Sequence, residues 1–206
     1  HKTLDRDCTL RMVTAAEKPG IQTYERSAVF LMLKAFYDVA GRENVGRITV
    51  EYSISNALFV RARGNFTLDQ ALLGRVEARM KELAAQAVPI RKQSVSTDDA
   101  VELFAENRMQ DKSRLLSYRI NSHVNIYTLD DFTDYFYGYM VPDTRYLKCF
   151  ALELFEDGFA LRLPNQKNPE ELGPFQPSIK VFHALHEDTR RSEAVHISNV
   201  AEMNDV

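Results

Sequence analysis

The stretch from Tyr127 to Tyr139 carries the side chains best suited to binding chemistry. It holds six aromatic residues, which are Tyr127, Phe132, Tyr135, Phe136, Tyr137 and Tyr139. Aromatic faces stack on a nucleobase or nucleoside, and Arg26 or Asp134 would give such a ligand polar direction. On an extended strand, Tyr135, Tyr137 and Tyr139 would share one face, and Asp134, Phe136 and Met140 the other. The alternative is that these aromatics only pack a sheet.

Acid–base and nucleophilic chemistry have weaker candidates. Asp134 lies close in sequence to Asp130 and Asp131, which would suit paired carboxylates. Helix or turn capping is the simpler interpretation of such a cluster. Ser27 and Cys149 are possible nucleophiles, but neither has a base that the sequence identifies.

Metal and phosphate motifs are sparse. His183 and His186 stand at the i, i+3 spacing that can chelate an ion, a spacing that also arises readily by chance. His123 lies in a polar turn, and His1 and His196 lie near the ends of the sequence. None of the eight glycines is followed by Lys, so the phosphate-binding loop Gly-x-x-x-x-Gly-Lys-[Ser/Thr] is missing from the sequence.

Composition indicates an ordinary globular protein. Of the 206 residues, 45% are hydrophobic and 27% charged, and 26 basic against 29 acidic residues give a net charge of −3. That balance argues against a broad phosphate-binding surface. Cys8 and Cys149 are expected to be free thiols in a reducing cytoplasm, and no apolar run is long enough for a membrane span. Because the sequence starts at His1 and not at Met, we expect it to be a fragment.

The first half of the chain predicts helices alternating with a strand pair. A helix from about Thr23 to Ala40, ended by Gly41, has a nearly continuous apolar centre. The predicted strands are Arg47–Tyr52 and Ala57–Arg61, followed by a strand at Ile90–Val95. Between them, Thr67 and Gln70 predict a capping box for a helix with an apolar face of Leu68, Leu72, Val76, Met80, Leu83 and Ala87.

The second half predicts shorter elements. They are a helix from Ser96 or Thr97 to Asn107, a helix or loop at Asp111–Arg119, a strand at Val124–Tyr127 and a hairpin of Leu147–Phe155 and Phe159–Leu163. The hairpin prediction rests on the Asp157-Gly158 pair. A polar loop at Asn165–Pro177 precedes two helical stretches, Ser178–Leu185 and Thr189–His196. Without regular βαβ alternation, the pattern predicts an α+β fold.

Two segments resemble the editing domain of threonyl-tRNA synthetase and its alanyl relatives. That family carries His-x-x-x-His at the start of a helix, and Arg26 and Phe30 stand at those places. It also carries a run like Asp-x-Cys-x-Gly-x-His-x-Pro, and Asp134–Pro142 reads Asp-Tyr-Phe-Tyr-Gly-Tyr-Met-Val-Pro. The resemblance extends from about Asp7 to Leu154. It implies an α+β editing-like domain with a mixed or antiparallel sheet and flanking helices.

The same resemblance implies that the editing metal site is lost. A hydrolytic zinc site needs about three donor side chains, whereas Arg26 is cationic, Phe30 and Phe136 have no donor atom and Met140 offers only a thioether. We therefore expect no metal and no catalytic residue. Phe30, Phe136 and Met140 would form an apolar plug in place of the ion. The alternative is a reshaped ligand pocket of Arg26, Ser27, Phe30, Asp134, Tyr135, Phe136, Tyr137, Tyr139 and Met140.

A second resemblance concerns the end of the chain. Leu163–Pro169 and His196–Val200 resemble the N-terminal region of bacterial uridine kinase and phosphoribulokinase family nucleoside kinases, and the run Tyr135–Tyr139 is also similar to theirs. Some members of that family carry a synthetase-like segment ahead of the kinase. The resemblance implies that ATP and magnesium belong only to a downstream kinase domain of the same polypeptide.

These interpretations give one organisation and three functional hypotheses. Residues 1–20 would end a small ubiquitin-like domain, 21–160 would form the editing-like domain, and 161–206 would lead toward the kinase domain. The first hypothesis is a non-catalytic accessory region that senses substrate or RNA, or assembles the full protein, with a nucleoside or tRNA as possible ligand. The others are a metal-independent deacylase, using Asp134, Ser27 or His123, and a plain RNA-binding module.

Overall fold

A computed structural model describes residues 7–9, 11–106, 109–117 and 122–194. Its elements are α1 Lys18–Ala40, β1 Val45–Ile54, β2 Ala57–Gly64, α2 Gln70–Ala85, β3 Ile90–Ser96, α3 Thr97–Glu106, α4 Gln110–Ser117, β4 His123–Leu129, β5 Phe132–Tyr135, β6 Ala151–Phe155, β7 Gly158–Arg162 and α5 Ile179–Ala194. One sheet has the order β1-β2-β7-β6 and the other β3-β4-β5. Every pairing between these strands is antiparallel, so the predicted α+β class is confirmed.

Helix α1 forms the centre of the core, and it starts earlier than predicted. It begins at Lys18, with Pro19 in its first turn, and not at Thr23. Proline suits that position because its fixed φ is helical and its missing N–H would be unpaired there anyway. Thr23 lies inside the helix, where its hydroxyl donates to the Pro19 carbonyl at 2.8 Å. The predicted end is confirmed, since Gly41 follows Ala40 with φ +83°.

The apolar centre of α1 is buried on most sides, as predicted. Its buried residues include a continuous run from Ser27 to Phe36. Phe36 stacks on Phe159 of β7, with ring centroids 6.0 Å apart. The same strand faces the other way through Ala160, which belongs to a second cluster with Phe59 and Phe182. Strand alternation therefore gives the four-stranded sheet a core on each face.

Both predicted hairpins are present. Strands β1 and β2 pair from Ile54–Ala57 outward, with register shifts at Val50/Tyr52 and Val45/Arg47, around a turn where Ser55 has φ +54°. Strands β6 and β7 pair around Glu156 and Asp157, and Glu156 takes the positive φ of that turn. The pairing of β2 with β7 joins the two hairpins into one sheet.

Two helix starts differ in how they are capped. Helix α2 is capped by Asp69, whose carboxylate accepts from the Leu72 N–H at 2.7 Å, and not by the predicted Thr67. A carboxylate at this place also interacts favourably with the helix dipole. The predicted apolar face is confirmed for Leu72, Val76, Met80 and Leu83, whereas Ala87 follows the helix with φ +52°. For α3 the cap is Ser96, whose hydroxyl accepts from the Asp99 N–H at 3.0 Å.

The last described segment is one helix where two helical stretches were predicted. Helix α5 runs without a break from Ile179 to Ala194, because the intervening residues include no proline or glycine to stop it. His196, the predicted end of the second stretch, lies outside the described residues. Phe182 anchors α5 against Phe59 and Phe155, with ring centroids 5.0 and 4.9 Å away. Within the described part of the chain, every helix is too short or too polar to cross a bilayer.

Candidate functional site

The Phe136–Pro142 segment lies along the first turns of α1 and is bonded to it. Arg26 Nε donates to the Tyr139 carbonyl oxygen at 3.1 Å. Ser27 Oγ donates to the Thr23 carbonyl at 2.7 Å and accepts from the Val141 N–H at 3.0 Å. These contacts bring together the two motif-bearing segments that the sequence places more than a hundred positions apart. Ser27 is wholly buried and its hydroxyl is engaged in both directions, so it is a bridge and not an exposed nucleophile.

Gly138 allows the Arg26 side chain to lie against the segment. Its φ of +106° is a conformation that side chains rarely adopt. A Cβ at this position would come within 2.9 Å of Arg26 Cζ. The Gly138 carbonyl also accepts a hydrogen bond from the Tyr127 hydroxyl. Glycine is therefore needed here for both its backbone conformation and the close approach of the guanidinium.

Apolar side chains fill the volume next to the Arg26 contact. Phe30 is wholly buried, and its ring lies 5.6 Å from that of Phe132 and 5.5 Å, edge to face, from that of Phe136. Phe136 and Met140 are half-buried and pack against the same core. Such aromatic contacts stabilise by about 0.5–1.5 kcal/mol beyond area burial. The arrangement is that expected of an apolar plug.

The donor set around the plug does not fit a zinc ion. Arg26 brings a fixed positive charge to one side, and Phe30 and Phe136 bring no lone pair to the other. Across the described residues, His, Cys, Asp and Glu side chains nowhere gather in groups of three or more that would hold a metal. His186 instead contacts Arg61 through Nδ1 at 3.1 Å and lies 3.7 Å from Asp157 through Nε2. Its i, i+3 pairing with His183 is thus not a chelating one.

Asp134 is a buried ion-pair partner. Its carboxylate is wholly buried, pairs with the Lys112 ammonium and accepts from the Tyr135 N–H at 2.6 Å. It joins α4 to β5 and is closed off from any substrate. Lys112 was missed by the sequence reasoning because α4 was predicted only as a helix or loop, which left its charged side chains unassigned.

Asp130 and Asp131 have ion-pair partners different from that of Asp134. Asp130 and Asp131 both face Lys34, whose ammonium is almost wholly buried in α1. The hydrogen bond from Lys34 lowers the pKa of the Asp131 carboxyl. Asp131 also forms an ion pair with Arg42. The carboxylates therefore tie the β4–β5 turn to α1, and they do not form an acid–base pair.

The aromatic stretch does not lie on one strand as expected. Strand β5 ends at Tyr135, and the remaining segment is irregular, so the predicted division into two strand faces is wrong. Tyr127 and Phe132 are buried, whereas Tyr137 and Tyr139 are 82% and 74% exposed. Tight bonding to Arg26 and Ser27 replaces sheet pairing here. The result is two tyrosines presented to solvent above the plug.

A lysine that sequence reasoning did not single out lies beside Tyr139, one of the two exposed tyrosines. Lys92 Nζ is 5.0 Å from the centroid of the Tyr139 ring and 6.0 Å from that of Tyr127. It belongs to β3, whose pairing with β4 places Lys92 opposite Tyr127. The basic pair Arg91-Lys92 in a predicted strand was the available signal. We call Lys92, Tyr137 and Tyr139 the tyrosine–lysine surface.

Tyr24 and Cys149 make a structural contact. The Tyr24 hydroxyl donates to the Cys149 carbonyl and accepts from the Cys149 N–H, both at 2.8 Å. Burial raises the pKa of Tyr24 to about 12. Burial also raises the pKa of the Cys149 thiol, which opposes thiolate formation and nucleophilic chemistry. His123, the other candidate group, is an exposed residue at the start of β4.

Comparison with known proteins points to one class, the threonine–tRNA ligases. No protein-family model matches the chain. The chain is 26% identical over 149 residues to the threonine–tRNA ligase of Francisella tularensis subsp. novicida. It is 29% identical over 150 residues to that of Francisella philomiragia subsp. philomiragia. Each match covers 72% of this chain and 23% of the ligase. The chain is therefore similar to a part of these enzymes about a quarter of their length.

Proposed function

We propose that this chain is a non-catalytic module with the editing-domain fold of a threonyl-tRNA synthetase. The observation that carries the proposal is that Arg26 and two phenyl rings occupy the motif region. Arg26 bonds to the Tyr139 carbonyl and lies against Gly138, and Phe30 contacts Phe136. A site with a fixed cation and packed phenyl rings has no place for a metal-bound water. The similarity to threonine–tRNA ligases supports the fold side of the proposal.

A hydrolase that works without metal is disfavoured by the same geometry. Ser27 and Asp134 are wholly buried, and each is committed to hydrogen bonds or an ion pair. His123 is exposed and pairs with the hydroxyl of Ser122 at 3.1 Å. A mischarged-tRNA deacylation assay distinguishes enzyme from accessory module. Loss of folding stability in Asp134→Ala must be measured alongside, because removing this carboxylate leaves Lys112 without its partner.

In this proposal the module senses a base-bearing ligand, a nucleoside or the end of a tRNA, at the tyrosine–lysine surface. Exposed tyrosine faces stack on bases, and a lysine beside them adds attraction for phosphate. Stacking contributes about 1–3 kcal/mol per base. Replacing Tyr137 and Tyr139 with Ala should therefore weaken tRNA binding by about 10-fold or more, as measured by fluorescence anisotropy over a salt series.

Tyr146 supplies the matched control for that experiment. It is also exposed but lies in the short 3-10 turn Thr144–Tyr146, outside the tyrosine–lysine surface. Tyr146→Ala should leave the affinity unchanged. Equal losses in both variants, or no measurable tRNA or nucleoside binding by the unaltered chain, would count against a sensing role at this surface.

We further propose that the module is the accessory region of a uridine-kinase-type nucleoside kinase, with residues 1–20, 21–160 and 161–206 divided as described above. The support is the resemblance of Leu163–Pro169 and Tyr135–Tyr139 to that family. ATP and magnesium would then act only in a downstream domain. The test is the coding sequence after Val206. A strand followed by Gly-x-x-x-x-Gly-Lys-[Ser/Thr] would support the kinase, whereas a stop codon or a synthetase catalytic domain would overturn it.

A further inference from the structure

A cleft of about 410 Å³ lies away from the tyrosine–lysine surface. Three elements line it, namely the first turns of α1, the turn between β1 and β2, and the segment that follows β7. Glu25 is the α1 carboxylate in this cleft. Consecutive helical residues point about 100° apart, so Glu25 enters the cleft while Arg26 reaches toward Tyr139. The cleft is thus separate from the plug.

Glu25 is the charged side chain of this cleft. It is half-buried, and no residue that the structure describes makes a hydrogen bond or ion pair with its carboxylate. Burial raises the pKa of the Glu25 carboxyl, and the charge of Arg26 offsets only part of that rise. A half-buried carboxylate that makes no hydrogen bond or ion pair can be stabilised by a donor or a cation that approaches it.

The remaining lining combines oxygen acceptors with a small apolar wall. Ser53 and Gln166 contribute a hydroxyl and an amide. Ile21, Leu58 and Leu163 contribute the apolar part. A few placed polar groups on an apolar wall are typical of small-molecule sites. The only formal charge in the lining is negative, and the ligand chemistry that complements it is cationic.

We propose that this cleft binds a small ligand that carries a primary ammonium group on a short branched apolar chain. The ammonium donates to the Glu25 carboxylate and to neighbouring oxygen acceptors, and the branched carbons contact Ile21, Leu58 and Leu163. This site is independent of the proposed accessory function, because none of its residues belongs to the tyrosine–lysine surface or to the plug. Its failure would leave that function untouched.

Three probes test the proposal on the full chain by NMR chemical-shift titration. They are isobutylamine, isobutanol and 3-methylbutanoate, which share the branched chain and differ in charge. We expect isobutylamine to shift the amide resonances of Ser53 and Gln166 with saturation. Isobutanol should bind at least about 10-fold more weakly, corresponding to about 1.4 kcal/mol, and 3-methylbutanoate should not bind. Equal affinity for amine and alcohol would overturn the proposal.

Two variants and one control assign the effect to the carboxylate. Glu25→Gln keeps the shape and removes the charge, and should reduce isobutylamine affinity at least about 10-fold. Gln166→Lys places a cation on an exposed part of the cleft and should reduce it without disturbing the core. Glu102→Gln, at an exposed position on α3, should change nothing. Unchanged affinity in Glu25→Gln, or an equal loss in Glu102→Gln, would contradict the assignment.

Discussion

Arg26 shows how one residue changes the chemistry of a region while leaving its backbone contacts in place. Its guanidinium bonds to the Tyr139 carbonyl and lies over Gly138, so hydrogen bonds join two chain segments that are far apart in sequence. Ser27 adds a second bridge to Val141. The positions are thus connected by hydrogen bonds, and of the four motif positions only Met140, with its thioether, has a side-chain lone pair.

Replacing Gly138 with Ala should destabilise the protein by about 1–3 kcal/mol, because the residue has a φ that side chains avoid and a Cβ would meet Arg26. The measurement is the free energy of unfolding from urea denaturation. Gly74→Ala in α2 is the control, since a Cβ there meets nothing within 4 Å. It should stabilise by up to about 1 kcal/mol. A Gly138→Ala protein as stable as the unaltered chain would contradict the Arg26 contact.

Glu25→Gln should raise the melting temperature at neutral pH. The folded-state pKa of Glu25 is raised by burial, so its stabilising contribution is fully present below the unfolded pKa and is lost as pH rises through the folded pKa. The amide removes the cost of the buried charge at pH 7. Near pH 4, where the carboxyl is largely protonated, the difference from the unaltered chain should shrink.

Calorimetry of both proteins across that pH range measures this effect. Glu102→Gln again serves as the control, because its exposed carboxylate has little desolvation to relieve. A Glu25→Gln difference that is constant from pH 4 to pH 7 would show that the carboxylate is not desolvated in solution.

Sequence predicted single residues well where one local rule decides the outcome. Gly41 ends α1 because a glycine accepts positive φ. The β6–β7 hairpin was also predicted, although its turn is Glu156-Asp157 and Gly158 begins β7. The ion pairs of Asp134 with Lys112 and of Lys34 with Asp131 join distant segments. No spacing rule relates such positions, so their partners were not predictable from one sequence.

At the scale of elements, Phe182 makes the main apolar contact between α5 and the four-stranded sheet. Phe182 is buried among Tyr52, Phe59 and Phe155 on the sheet face that α1 does not cover. His186, one turn later, reaches Arg61 of β2. The helix is therefore held to the sheet by a phenyl ring and a polar contact at i, i+4 spacing.

Phe182→Ala should cost about 3–5 kcal/mol of local stability, which is the range for deleting a buried phenyl ring. Hydrogen exchange of the α5 amides should then speed up more than that of α1. Val181→Ala, at an exposed neighbouring position, should have little effect. Protection in α5 that is unchanged by Phe182→Ala would mean that the helix is held by other contacts.

Element types were more predictable than element boundaries. The apolar periodicity of α2 and the hairpin turns are local signals, and they gave the correct helices and strands. The predicted start of α1 and the predicted cap of α2 were wrong, because several residues of a suitable type stood near each boundary. The predicted division of α5 into two stretches was also wrong. The end of β5 at Tyr135 was also missed, since bonding of the following segment to α1 overrides its β propensity.

At the scale of the whole molecule, fold and chemistry separate. The α+β class followed from the lack of regular βαβ alternation, and the resemblance in the motifs implied a mixed or antiparallel sheet. The similarity to threonine–tRNA ligases agrees with that resemblance. The contact of Phe30 with Phe136 agrees with the apolar plug, one of two interpretations that rested on the resemblance together with the residue types. The tyrosine–lysine surface needed the structure, because it combines β3 with a segment about forty positions away.

Zinc content is one consequence of the proposal at this scale. Protein purified from zinc-supplemented medium should carry well under one equivalent of the metal by mass spectrometry, because Arg26 and the phenyl rings offer no ligand set. A threonyl-tRNA synthetase editing domain prepared in parallel is the positive control. Stoichiometric zinc in this chain would require a site that the described residues do not form.

The deacylation of mischarged tRNA tests the central claim most directly. We expect the chain to hydrolyse mischarged tRNA no faster than buffer, while a threonyl-tRNA synthetase editing domain assayed beside it is active. Among the described residues, the side chains around the motif region do not form a metal-ligand set, and Ser27 and Asp134 are engaged in structural bonds. Turnover above buffer that disappears in His123→Ala, with folding unchanged, would contradict the claim that the editing fold is kept without its chemistry.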